Sequence, residues 1–259
     1  MLSTPASYRL ISSNLKKTLD QTANQPMVKR DSDYYLSKIT SIKSIDAFLG
    51  DDRVYQYAMR AYGLQDMTYA KAFMRKVMTE GIDNSGSFAN KLSDGRFKAF
   101  ATAFNFARYG GTATTFTRTQ QGTVDLYVRQ TLETDEGRSN EGIRLALYFQ
   151  RTAPTVTTVL GLLADRALLK VTQVALGLPA SSSVLNLDRQ VELVKKHLKI
   201  ADLKDPAKLD KLLQRFAALW ELENPTTPSN TIPTVEVGTT SAGLDFDTLS
   251  LLQNLRTSR

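Results

Sequence analysis

The chain has no cysteine, one histidine and one tryptophan among its 259 residues. The missing thiols exclude disulfides, thiolate metal sites and cysteine nucleophiles together. With His197 as the sole imidazole, a zinc site built from histidine and cysteine has no ligand set. A serine triad would need that same residue, which lies in the basic amphipathic stretch "VELVKKHLKI", and no Gly-x-Ser-x-Gly elbow accompanies it. His197 therefore reads as a helix-surface histidine. Long apolar runs are missing too. No segment approaches the ~20 apolar residues of a membrane span, and the best candidate, "TVLGLLADRALLKVTQVALGL", carries Asp165, Arg166 and Lys170. It reads as a buried helix of a soluble protein. The opening "MLSTPASYRLISSNLKK" lacks the continuous apolar core of a signal peptide.

What is present is ordinary for a soluble globule: 42% apolar and 23% charged residues. The length suits one large domain or two small ones, with core enough to need no staples. Net charge is +7, but lysine and arginine are scattered, the nearest cluster being Arg9, Lys16, Lys17, Lys29 and Arg30. No basic run is interleaved with aromatics as a single-strand groove requires, and no recognition-helix module stands out. A solvated basic surface is the expectation, and nucleic acid is not an expected partner.

Apolar residues recur at helical spacing nearly throughout, which predicts an all-α, multi-helix fold. Ser3, Thr4 and Pro5 signal a helix start before the stripe Tyr8, Ile11, Leu15 and Leu19. Asp31 or Ser32 is expected to cap a helix carrying Tyr35, Ile39 and Ile42, and Asp51 or Asp52 to cap one that stops at Gly63. Further helices stop at Gly81, carry Phe97, Phe100 and Phe104, and run through Val124, Tyr127 and Val128. The threonine- and glycine-rich stretch 108–123 reads as an exposed loop with room for a short strand. "NEGIRLALYFQRTAP" should end or kink near Pro154, with helices to follow at about 155–176, 187–199 and 206–222, the last opened by Asp205–Pro206. Residues 224–243 read as a flexible tether to a short amphipathic piece with Leu249, Leu252 and Leu255.

"GDDRVYQYAMRAYGL" and "LADRALLKVTQVALGL" share Asp51 with Asp165, Ala61 with Ala175, Gly63 with Gly177 and Leu64 with Leu178, each pair 114 positions apart. The same shift lays Tyr34–Tyr35 on Tyr148–Phe149 and Leu49 on Leu163. The expected organisation is an N-terminal amphipathic segment (1–30), a helical core (31–223) holding repeat one (32–106) and repeat two (140–222), and a C-terminal tether with a short helix (224–259). Two repeats are too few for a solenoid, so they are expected to pack together as pseudo-symmetric halves.

The residues that could carry chemistry do not assemble into a motif. In "DNSGSFANKLSD" (83–94) a calcium loop would need glycine and glutamate where Phe88 and Asp94 stand. This segment reads as a turn followed by a capped helix. Gly110–Gly111 lacks the Gly-Lys-Ser/Thr ending of a phosphate loop. The acidic pairs Glu133 with Glu136, and Asp202 with Asp205, lie in polar stretches and read as solvated faces rather than shielded acid–base groups. No catalytic, cofactor-binding or metal-binding residue is assigned, and neither an enzyme nor a cofactor is expected.

The stretches "FLGDDRVYQYAMRAYGL", "GSFANKLSDGRFKAFATAFNF" and "NEGIRLALYFQR" resemble an uncharacterised bacterial family of domains of unknown function, over roughly residues 30–222. The family is associated with alphaproteobacteria, where its genes tend to sit among flagellar genes. The resemblance implies a non-enzymatic structural or interaction protein of flagellum assembly or motility, with protein partners that include flagellar components. A cytoplasmic helical chaperone or regulator, or a nucleic-acid-binding helical protein, is the alternative. The expected location is the cytoplasm or the flagellum, with self-association through the terminal helices.

Overall fold

In the computed structural model, which describes residues 2–226, no strand occurs among the described residues and every regular element is helical. The helices are α1 (Thr4–Ser13), α2 (Leu15–Ala23), α3 (Pro26–Ile39), α4 (Ile45–Gly50), α5 (Asp52–Ala61), α6 (Lys71–Glu80), α7 (Phe88–Lys91) and α8 (Gly95–Ala103). They continue as α9 (Phe106–Tyr109), α10 (Gln121–Ser139), α11 (Glu141–Thr152), α12 (Val159–Ala164), α13 (Arg166–Leu176), α14 (Leu187–His197) and α15 (Pro206–Glu223). Short 3-10 turns join several of them. The all-α expectation holds. The tether from 227 onward and Leu249, Leu252 and Leu255 lie outside the described residues.

Two large hydrophobic clusters form the interior. The first gathers residues of α3 to α10 and is rich in rings: Tyr57 stacks on Tyr35 (4.5 Å) and on Tyr127 (3.9 Å). Phe48 meets Phe100, Phe104 and Phe106 in the same cluster. The second draws on α11 to α15, with Phe149, Leu162, Val171, Leu213, Phe216 and Trp220. Between them lies a small third cluster of Ile11, Leu132, Ile143 and Leu147. The long helix α10 runs from the first cluster to the third, which it reaches with Leu132.

Helix ends follow local chemistry closely. Ser44 caps α4 and Asp51 caps α5; 114 positions later Thr158 caps α12 and Asp165 caps α13. Each aspartate accepts from backbone N–H groups that a helix start leaves unpaired, so it divides a continuous apolar stretch into two helices. The expected single helix over 155–176 is divided in this way. At the far ends, Gly63 (φ +70°) and Gly177 (φ +66°) are left-handed. Leu64 N–H donates to the Met59 carbonyl at 2.8 Å, and Leu178 N–H to the Gln173 carbonyl at 2.9 Å. Both ends thus close as six-to-one Schellman turns. A methyl group on Gly177 would have room, its nearest neighbour being Arg215 Nη2 at 3.9 Å. The cost of substitution is therefore backbone strain. Gly63→Ala and Gly177→Ala are each expected to lower stability by about 1–2 kcal/mol, read as a shift in urea midpoint at constant slope. A loss at one site only would mean that the two ends do not carry equal strain.

The structure departs from the sequence expectation at three places. First, Asp31 and Ser32 do not start a helix: α3 begins at Pro26, whose missing N–H suits a first helical turn, and both residues fall inside it. Second, 108–123 is not an exposed loop. It forms one end of α9, two 3-10 turns and the start of α10, and Thr114, Thr119 and Thr123 are fully buried. Their hydroxyls donate to the carbonyls of Ile42, Ala113 and Arg118, which is how so polar a stretch can enter the core.

Third, the N-terminal segment is not set apart. Tyr8 is fully buried in the second cluster and its hydroxyl reaches Asp210 (3.3 Å), while Ile11 belongs to the third cluster. Ser3 makes no side-chain cap. Instead Glu221 of α15 accepts from Thr4 N–H (2.7 Å) and Thr4 Oγ1 (2.5 Å). Partial burial pushes the Glu221 carboxyl up, but hydrogen bonds from Thr226 and Thr4 outweigh this and hold its pKa down at about 2. Asn140 Nδ2 completes the clasp by donating to Thr4 Oγ1 at 2.8 Å.

Candidate functional site

A network of ionisable side chains lies inside the fold, where α10 faces α11. Arg129 and Glu133 stand one turn apart on α10, close enough for a pair (3.2 Å). From α11, Arg151 grips both oxygens of Glu133 at 2.9 Å. Arg129 also donates to the Leu147 carbonyl (3.0 Å) and Gln150 Oε1 (2.9 Å), and Arg151 to Gln130 Oε1 (3.3 Å). The Glu133 side chain is 1% exposed, Arg129 9% and Arg151 27%. Burial pulls the Arg129 pKa down and Glu133 opposes it; for Arg151 burial also pulls down, but its two bonds to Glu133 prevail and the pKa rises.

The sequence reading of Glu133 as part of a solvated face is therefore wrong. An i, i+4 arginine–glutamate pair looks the same on a surface as in a core, and its second cation lies 18 positions away in sequence. Only the proximity of α11 to α10 reveals the site. Both Glu133 oxygens are engaged by guanidinium groups, so the cluster is built to hold the two helices in one register.

The other singled-out residues are dispersed. His197 is exposed in the last turn of α14. Gly110 is exposed and follows α9. In 83–94, Asn84 closes a turn by accepting from Gly86 N–H (2.8 Å) and Asp94 caps α8, as expected of a turn and capped helix. Glu136 is half-buried, and burial with neighbouring Asp135 raises its pKa. Asp202 pairs with Lys208 (2.5 Å), and Asp205 caps α15. Among the described residues no three histidine, aspartate or glutamate side chains stand close enough to hold a metal ion.

A second feature is on the surface. Between the start of α12 and the C-terminal part of α14 runs an open groove of about 520 Å³. Leu160, Val191, Leu198 and Ile200 line it, together with exposed Lys195 and Lys199. Asp188 stands among the lining residues as well. Leu160 is 53% exposed, and Leu187, one turn before Val191 on α14, is 54% exposed. Neither lysine pairs with a carboxylate among the described residues. Exposed leucines are common singly; here Leu160 in the groove, Leu187 near it and the two lysines together give a mixed apolar and basic surface.

A family model described as "Protein of unknown function (DUF1217)" matches residues 61–209. The X-ray crystal structure of a protein from Agrobacterium tumefaciens, a structural genomics target, is similar in both sequence and fold. It is 47% identical with a TM-score of 0.80, over 86% of this chain and 94% of that one. No curated protein matches the chain.

Proposed function

Since the chain belongs to the DUF1217 family of proteins of unknown function, we propose that it is a non-enzymatic interaction protein of flagellum assembly or motility. The observation that carries the interaction reading is the groove on α12 and α14, where Leu160 and two lysines with no carboxylate partner among the described residues face solvent together. The buried charged network, by contrast, is consumed within the fold as a staple between α10 and α11. The flagellar part rests on the resemblance of residues 30–222 to a family whose genes tend to lie among flagellar genes. The alphaproteobacterial relative is consistent with that setting.

Deleting the gene in the source organism is expected to abolish or impair swimming, and the full chain supplied in trans should restore it. The protein is then sought in purified filaments and in the cytosol. Presence in filaments supports a structural part, and cytosol alone supports an assembly chaperone or regulator acting through the same groove. Unimpaired swimming of the deletion strain removes the flagellar reading.

A further inference from the structure

We infer that the groove between α12 and α14 is a docking site for a partner's short amphipathic helix, one bearing an aromatic or large aliphatic anchor with carboxylates at one end. The inference deepens the interaction reading above and rests on it.

The argument comes from what the same chain does in its first half. Helices α4 and α12 are six residues long, start 114 positions apart, and are each capped by a hydroxyl and followed by an aspartate-capped helix. α6 packs on α4 as α14 packs on α12. In the first half, the place between the start of the short helix and the end of its neighbour is filled. α9 lies on α6, and its Phe106 comes within 6.1 Å of Phe48 on α4. A methyl group on Gly81, at the end of α6, would fall 2.9 Å from both Ala107 Cβ and Asn105 Oδ1. Just ahead of α4, the Ile42 carbonyl accepts from Thr114, in the turn that follows α9.

Among the described residues, no helix follows α14 in the part played by α9. Between α6 and α10 the chain threads three helices and two 3-10 turns, whereas between α14 and α15 it has only the turn Ile200–Lys204. The groove lies at the corresponding pair of helices, α12 and α14, and is open among the described residues. Leu160 stands 114 positions after Asp46, an exposed charge paired with Arg75 in the first half. A leucine at 53% exposure thus stands where the first half has a solvated ion pair.

The occupant follows from the template and from charge. α9 shows that one helical turn with a phenylalanine anchor fills such a place, a helix-in-groove mode of recognition. Among the described residues Lys195 and Lys199 lack carboxylate partners, and exposed Lys196 and His197 lie beside them in the last turn of α14. With Asp188 seven residues back from Lys195 on the same helix, the preference for carboxylates is confined to one end.

The probe is a fluorescein-labelled peptide with the sequence of residues 104–116, carrying Arg108→Glu to supply a carboxylate. Its unmodified counterpart serves as the charge control. Fluorescence anisotropy with the full chain is expected to show saturable binding, tighter for the substituted peptide than for the unmodified one. Leu160→Asp should weaken binding at least tenfold, and Leu160→Gln by a similar factor. Lys195→Glu with Lys199→Glu should reverse the preference between the two peptides. These positions are exposed, and unchanged melting of each variant confirms that the fold is kept. No saturation at millimolar protein, or equal binding to Leu160→Asp, overturns the proposal. So does a dimer in light scattering that Leu160→Asp dissolves, because the occupant would then be a second copy. Failure of peptide binding with swimming lost on deletion removes the docking site and leaves the flagellar reading. Binding with swimming unimpaired does the reverse.

Discussion

Glu133→Leu is expected to destabilise the protein by about 3–5 kcal/mol, because it leaves two arginines facing each other without their carboxylate. The value should sit toward the lower end, since Arg151 is 27% exposed and regains some solvation when released. In a chain of this size that corresponds to a melting shift of roughly 6–15 °C. Replacing the set together, with Arg129→Met, Glu133→Leu and Arg151→Met, should recover much of the loss. Burying three charged groups is itself costly, and well-packed apolar side chains of similar volume commonly match a buried ion pair or triad. Recovery will be incomplete, since Arg129 also satisfies the Leu147 carbonyl and Gln150. Urea denaturation of the single, paired and triple variants measures the coupling directly. A loss below about 1 kcal/mol for Glu133→Leu would mean the network adds no more than a surface pair, and that α10 and α11 are held by apolar contacts alone.

Removing residues 1–25 is expected to be equally severe. The deletion uncovers the sites of Tyr8 and Ile11 and withdraws Thr4 from Glu221 and Asn140. Loss of a fully buried aromatic alone costs about 3–5 kcal/mol, so Tyr8→Ala should already lower the melting temperature clearly. Leu10 provides the control on the same helix: it is 57% exposed, and Leu10→Ala should change stability by no more than about 0.5 kcal/mol. Melting and light scattering on the full and shortened chains decide between packing and association. If the shortened chain melts unchanged while its assembly state shifts, α1 is an interaction element, and its burial against α15 does not contribute to folding.

Much of the secondary structure was legible because helix ends are decided within a few residues. Asp51, Asp165 and Asp205 accept from N–H groups two or three positions ahead, and Gly63 and Gly177 accept the left-handed turn that the next leucine closes. These interactions do not depend on what the helix later packs against. Likewise the stripes of Val54, Tyr57, Ala58 and Ala61, and of Leu209, Phe216 and Trp220, carry their buried faces in their spacing.

What the sequence left open was which polar residues go inside. Glu133 is shielded because Arg151 arrives from another helix. The threonines at 114, 119 and 123 are buried because carbonyls, including that of Ile42 far back in the chain, await their hydroxyls. Pattern reading assigns such residues to solvent, since a polar group is costly inside unless its partner is present, and the partner is set by the tertiary fold. The start of the chain followed the same rule: the spacing of Tyr8 and Ile11 required a surface to cover them, and only the packing of α11 and α15 supplied it. The groove is the converse: apolar residues of α12 and α14 that remain open to solvent among the described residues. The sequence by itself determined where helices begin, end and turn an apolar face, through contacts a few residues long. The tertiary structure alone decided which charges are sheltered and which apolar face stays open, because both depend on groups brought together from distant parts of the chain.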